Sequence, residues 1–142
     1  MVGIVAYGGC IPRYRLNRDE IARAWGSNSL GGEKAVANHN EDSLALAVEG
    51  SFNCLQGIDP QGVETLFFAS TTSPYLEKQS ASLIAAVAEI GERTRTADFS
   101  NSLRAGTNAL LSGIDAVKGG SVRQALVVAA DCRQARPSRN QT

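Results

Sequence analysis

TADFSNSLRAGTNALLSGIDAVKGG, residues 96–120, is the stretch on which the fold turns. It reads as a short strand over Thr96–Phe99, a sharp polar turn over 100–106, and a long helix stopped by the paired Gly119 and Gly120. Gly106, Leu110, Gly113, Ile114 and Val117 recur at helical spacing and form one stripe suited to packing on a sheet. The turn stands at a helix amino terminus, where unpartnered backbone N–H groups favour an anion or a developing oxyanion. A Cys or Ser placed there would be a candidate nucleophile. What the turn presents is Ser102, Leu103 and Arg104.

Working outward, Gln124–Ala130 (QALVVAA) is an apolar strand of central character, and Glu64–Ser70 (ETLFFAS) is a second. The polar loop Thr71–Lys78 leaves the carboxyl end of that second strand, the edge at which open α/β sheets bind ligands. An amphipathic helix with Ser80, Leu83, Ile84, Val87 and Ala88 follows and closes at Gly91. Towards the amino terminus, Asn40 is the expected cap of a helix whose stripe is Leu44, Ala47, Val48, Ser51, Phe52 and Leu55. Before it, residues 27–40 lose periodicity and read as a loop, in which His39 is a surface histidine. Asn17 caps a short helix ending at Gly26, and Val2–Tyr7 is a continuous apolar run suited to a strand covered on both faces. The resulting order, β-α-α-β-α-β-α-β, predicts an α/β fold with a mainly parallel sheet and helices on both faces.

With 142 residues, 43% of them hydrophobic, the chain can bury one core. Fourteen basic side chains balance fourteen acidic ones, so no surface for nucleic acid is expected. No apolar run approaches the roughly 20 residues of a membrane span, and no secretory leader is evident, so the default location is cytoplasmic. Cys10, Cys54 and Cys132 are odd in number, lack a CxxC spacing and have one histidine for company, which predicts neither a metal site nor a disulfide framework.

Five segments together carry a resemblance: GGCIPRYRLNRDEIARAWG, GEKAVANHNEDSLALAVE, FFASTTSPYLEKQSASLIA, LRAGTNAL and ALVVAADCR. In this order the chain resembles the amino-terminal half of the hydroxymethylglutaryl-CoA synthase family, within the thiolase superfamily, from Val2 to about Pro137. The resemblance implies a thiolase-like half-domain over residues 1–137, with layered helices on a mainly parallel five-stranded sheet, and a tail over 138–142 that leaves the chain short relative to the family. It also implies an acyl-CoA ligand with no covalently bound cofactor. The implied assembly is a homodimer, or a hetero-complex with a thiolase-type partner, meeting at the strand Thr96–Phe99.

The family places its acyl-accepting cysteine four residues before a threonine in the turn. Counting back from Thr107, that position is Leu103, which offers no nucleophile. Ser102 is the neighbouring hydroxyl, and it would need an adjacent base. The family's glutamate base falls on Thr71, which cannot abstract a carbon-bound proton near neutral pH. Glu77, six residues on, is the substitute carboxylate in reach along the chain. Arg13 is a candidate contact for coenzyme A phosphates, and Thr107 a candidate substrate contact. The resemblance implies an acyl-CoA condensing acyltransferase, but with Leu103 and Thr71 at the nucleophile and base positions catalysis by this chain alone is not expected; a non-catalytic acyl-CoA-binding or scaffolding homologue in a thiolase-type complex is the alternative.

Overall fold

In the computed structural model, which describes residues 1–133, the expected α/β layering is present. The expected tail 138–142 and its boundary at 137 lie outside the described residues. Three parallel strands form the central sheet in the order β4-β3-β5: β3 is Thr65–Ala69, β4 is Arg95–Phe99 and β5 is Ala125–Ala129. Register is fixed by Thr65 facing Arg95 on one side and Ala125 on the other.

The apolar run of β3 is covered on both faces. Leu66 and Phe68 point to one side, where α2 (Ser43–Cys54) and α3 (Ser80–Val87) close the larger core with Ile84, Leu126 and Val128. Phe67 and Ala69 point to the other, where α4 (Ala105–Lys118) packs through Ala105 and Ala109. Complete burial of Leu66, Phe68 and Ile84 stabilises this arrangement by about 1.5–3 kcal/mol each.

The face of α4 differs from the expected stripe. Ala105, Ala109 and Gly113 meet the sheet, while Leu110 and Ile114 stay exposed. Close approach decides this: a Cβ on Gly113 would stand 2.8 Å from Val127 Cγ2, so the helix can present only small residues there. On α3, Ala81, Ile84 and Ala85 face inward and Val87 is exposed, and on α2 Phe52 is exposed.

Three further expectations are corrected. Residues 27–40 are not all loop: β2 (Glu33–Val36) pairs antiparallel with β1 (Tyr14–Asn17), a separate ribbon flanking α1 (Arg18–Trp25). Asp42, not Asn40, caps α2, accepting from the Ala45 N–H at 2.8 Å. Val2–Tyr7 makes no strand pairing among the described residues, and so the parallel sheet has three strands rather than five. The cap on α1 is as expected, Asn17 accepting from Asp19 N–H. Gln79, before α3, caps nothing with its side chain; Asp98 on β4 does so instead, accepting from Ser80 N–H at 2.7 Å and Ala81 N–H at 2.8 Å.

Candidate functional site

The carboxyl ends of β3 and β5 and the mouth of α4 enclose a shallow pocket of about 240 Å³. Thr71, Ser102, Leu103 and Asp131 all line it, so the turn and the loop singled out in the sequence do converge. Glu77, Arg13 and Thr107 are exposed and lie outside its lining.

Asp131, the first residue beyond the apolar β5 run, organises the site. Its Oδ1 accepts from Thr71 N–H at 2.7 Å, from Thr71 Oγ1 at 3.0 Å, and from Ser70 Oγ and Thr72 Oγ1 at 3.2 Å each. Burial opposes its ionisation, but hydrogen bonds from the Thr71 N–H and from the hydroxyls of Thr71, Ser70 and Thr72 outweigh that and hold the carboxyl below the ordinary 3.8. Thr72 extends the network: its hydroxyl accepts from Cys132 N–H at 2.9 Å, and its carbonyl accepts from Ser43 Oγ on α2 at 2.8 Å. One carboxylate thus ties β5 to the loop after β3, and α2 holds that loop from the other side.

The turn before α4 passes through Asn101, whose φ of 60° is left-handed, a conformation Asn tolerates better than most residues. Beyond it, Ser102 Oγ accepts from Arg104 N–H at 3.1 Å, and the Ser102 carbonyl accepts from Ala105 N–H at 3.0 Å. This Asx-like local closure starts α4 without a side-chain cap from Arg104. Leu103 stands at the apex and is 85% exposed, aimed into the open rather than packed. The Thr71 hydroxyl is committed to Asp131, and Asp131 itself is a weak base because of its hydrogen bonds.

None of the three cysteines lines this pocket, although the backbone of Cys132 belongs to the Thr72 network. Burial raises the pKa of Cys10, with Glu49 and Glu41 adding to the shift, and burial raises that of Cys54, so both are held as thiols. Among the described residues, no group of three His, Cys, Asp or Glu side chains is placed to hold a metal ion. No helix among them is long and apolar enough to cross a membrane.

Asp131 was not singled out in the sequence. The signal was available: an acid immediately after a buried strand, at the edge where α/β sheets bind ligands.

A parallel sheet layered by helices, with a sharp turn at a helix mouth facing the loop of the neighbouring strand, defines a thiolase-like fold. Solved structures share it: a priming β-ketosynthase from the R1128 polyketide pathway (TM-score 0.87, 19% identity, 96% of this chain and 44% of that one). Another is MvaS in complex with 3-hydroxy-3-methylglutaryl coenzyme A (0.87, 24%, 98% and 36%). A third is OleA of Xanthomonas campestris with bound lauric acid and lauroyl-CoA (0.84, 17%, 98% and 48%). No family model matches the chain. Within that class the chain resembles the amino-terminal half of the hydroxymethylglutaryl-CoA synthases. It is 38% identical over 139 residues to that synthase of Pyrococcus furiosus, and 33% identical over 144 residues to that of Methanocella arvoryzae. Each match covers 96% of this chain; the chain spans 40% and 42% of the two relatives' lengths.

Proposed function

We propose that this protein is a hydroxymethylglutaryl-CoA synthase-type half-domain that binds acyl-CoA without itself forming the acyl-enzyme. The observation that supports the reading is the apex of the turn before α4, where Leu103 stands exposed over the pocket at the position we assign to the family's reactive sulfur. A leucine side chain has no lone pair with which to attack a thioester. The position of the family's base is Thr71, whose hydroxyl is held by Asp131. What the pocket retains is the amino end of a 14-residue helix and a polar rim of hydroxyls, groups that receive a carbonyl oxygen rather than transfer a proton.

The proposed ligand is free acyl-CoA, with no covalently held cofactor, and Arg13 is the proposed phosphate contact. The proposed assembly is a homodimer, or a hetero-complex with a thiolase-type partner, through β4, which is an outer strand of the sheet. A monodisperse monomer in sedimentation would remove that interface. We place the protein in the cytoplasm, a setting that suits its three free thiols.

Calorimetric titration with acetyl-CoA tests the ligand. Saturable binding that Arg13→Ala weakens is the expected result, and no heat of binding at any attainable concentration would dismiss the reading. A second reading, the half-site of a condensing or carbon–carbon-cleaving enzyme completed by residues outside this chain, draws on Ser102, the hydroxyl that lines the pocket at the helix mouth. It predicts turnover when a thiolase-type partner is added, and loss of that turnover in Ser102→Ala.

A further inference from the structure

The pocket at the mouth of α4 has two sides of opposite hydrogen-bonding character. Its floor is built from alanines and Gly106, and its polar rim is Ser70, Thr71, Ser102 and Asp131. Among the described residues that line it, Asp131 alone is charged. That charge has no ion-pair partner there. The pairs formed are Arg23 with Glu20 and Arg123 with Glu64, and neither Arg104, next to Leu103 in the turn, nor Arg133 joins one.

The directions of the hydrogen bonds fix what each side can offer a ligand. Asp131 Oδ1 accepts from all four of its donors, and its Oδ2 accepts from none of the described residues. A carboxylate only accepts, so the hydroxyls of Ser70, Thr71 and Thr72 each commit their one proton to it. Ser70 Oγ in turn accepts from Thr72 N–H at 3.0 Å, and Thr72 Oγ1 from Cys132 N–H. What this side has left for a ligand is acceptors, Thr71 Oγ1 and Asp131 Oδ2. Its carboxyl, held below the ordinary 3.8, is ionised near neutral pH. Across the pocket the inventory reverses. Ser102 Oγ accepts from Arg104 N–H and keeps its proton to donate, beside the Gly106 N–H in the unpaired first turn of α4.

A thioester carbonyl, an acceptor, has its complement on the Ser102 and Gly106 side. The far end of the acyl group then meets the acceptors. The pocket, about 240 Å³, holds the equivalent of about eight waters at about 30 Å³ each, room for a short acyl group. We infer that Asp131 and Thr71 set the acyl specificity of this site: it takes a short acyl group whose far end carries a hydrogen-bond donor, a hydroxyl or an ammonium, and rejects one that ends in a carboxylate. The inference rests on the acyl-CoA reading given above and adds which acyl group is bound. A methyl at that end leaves two acceptors without a partner, and a carboxylate meets a like charge with no cation beside it. Asp131 is exposed, so water keeps part of the effect and the discrimination is about tenfold, not the several orders of magnitude of a closed site.

Calorimetric titration of the whole chain with 3-hydroxypropionyl-CoA, β-alanyl-CoA, butyryl-CoA and malonyl-CoA tests this. The first three differ only in the last heavy atom of the acyl chain: oxygen, nitrogen or carbon. The hydroxyl and ammonium forms are expected to bind about tenfold more tightly than butyryl-CoA, and malonyl-CoA about tenfold more weakly. Asp131→Asn keeps an acceptor for Thr71 and puts an N–H where Oδ2 was. It should erase the preference for a donor and bring malonyl-CoA level with butyryl-CoA. In the unaltered protein, raising salt from about 0.05 to about 0.5 M should narrow the gap between β-alanyl-CoA and malonyl-CoA severalfold.

Butyryl-CoA binding as tightly as the hydroxyl and ammonium forms, malonyl-CoA binding as tightly as butyryl-CoA, gaps that survive Asp131→Asn, or a β-alanyl to malonyl gap indifferent to salt would each overturn the inference and leave the acyl-CoA reading standing. A preference for the ammonium form alone would ascribe selection to charge attraction and overturn the donor assignment. Binding of none of the four would overturn the acyl-CoA reading, and this inference with it.

Discussion

Replacing Asp131 by alanine removes the acceptor that holds the loop after β3 to the end of β5. Four donors converge on its Oδ1, but two of them are at 3.2 Å, long for a hydroxyl donor, which leaves Thr71 N–H at 2.7 Å and Thr71 Oγ1 at 3.0 Å as the principal bonds. A hydrogen bond to a charged group is worth about 1.5–3 kcal/mol when shielded. Asp131 is exposed, so solvent screening takes roughly half of that, and the expected loss is about 2 kcal/mol for Asp131→Ala and about 1 kcal/mol for Asp131→Asn. In urea denaturation, with a slope of about 1–2 kcal/mol per molar, Asp131→Ala should unfold about 1–2 M earlier. pH supplies an independent arm. The folded-state pKa lies below the ordinary 3.8, so the carboxylate's contribution is fully present above that value and is lost as pH falls through the lower, folded one. The gap between parent and Asp131→Asn should therefore close below about pH 3.8. An Asp131→Ala midpoint equal to the parent's, or a parent–Asn gap unchanged across that window, would refute the assignment.

Asp98→Ala should cost about 1 kcal/mol in the same denaturation assay, because it strips the only side-chain cap from α3. Gly113→Val should lower stability by about 2 kcal/mol through overpacking against Val127, and adding Val127→Ala should restore much of that in the double variant. Leu103→Cys places a thiol at the mouth of α4. Its alkylation rate should titrate below the ordinary thiol pKa of about 8.5, whereas Cys10 and Cys54 should react only above theirs.

Much of the layering could be read from the chain because continuous apolar runs such as Leu66–Ala69 and Leu126–Ala129 have few alternatives to a buried strand, and Gly119 with Gly120 marks a helix end. Helix faces were less legible. Periodicity favours large residues such as Leu110 and Ile114, but the tight contact at Gly113 reverses the choice and turns Ala105 and Ala109 inward. Val2–Tyr7 has the composition of a buried strand, and what decides whether it pairs is a neighbour that local sequence does not encode. At the site, Ser102 and Leu103 were found by their position at a helix mouth, and Thr71 through the family resemblance. Asp131 and Asp98 act on backbone groups about 60 and 18 residues away, and contacts at such separations leave no local pattern.

The most direct test of the account is intact-protein mass spectrometry after incubation with acetyl-CoA, followed by peptide mapping. An unmodified mass is predicted, since the proposed function puts Leu103, which has no nucleophile, at the position of the reactive sulfur. An acetyl group mapped to any residue in 100–107 would contradict it.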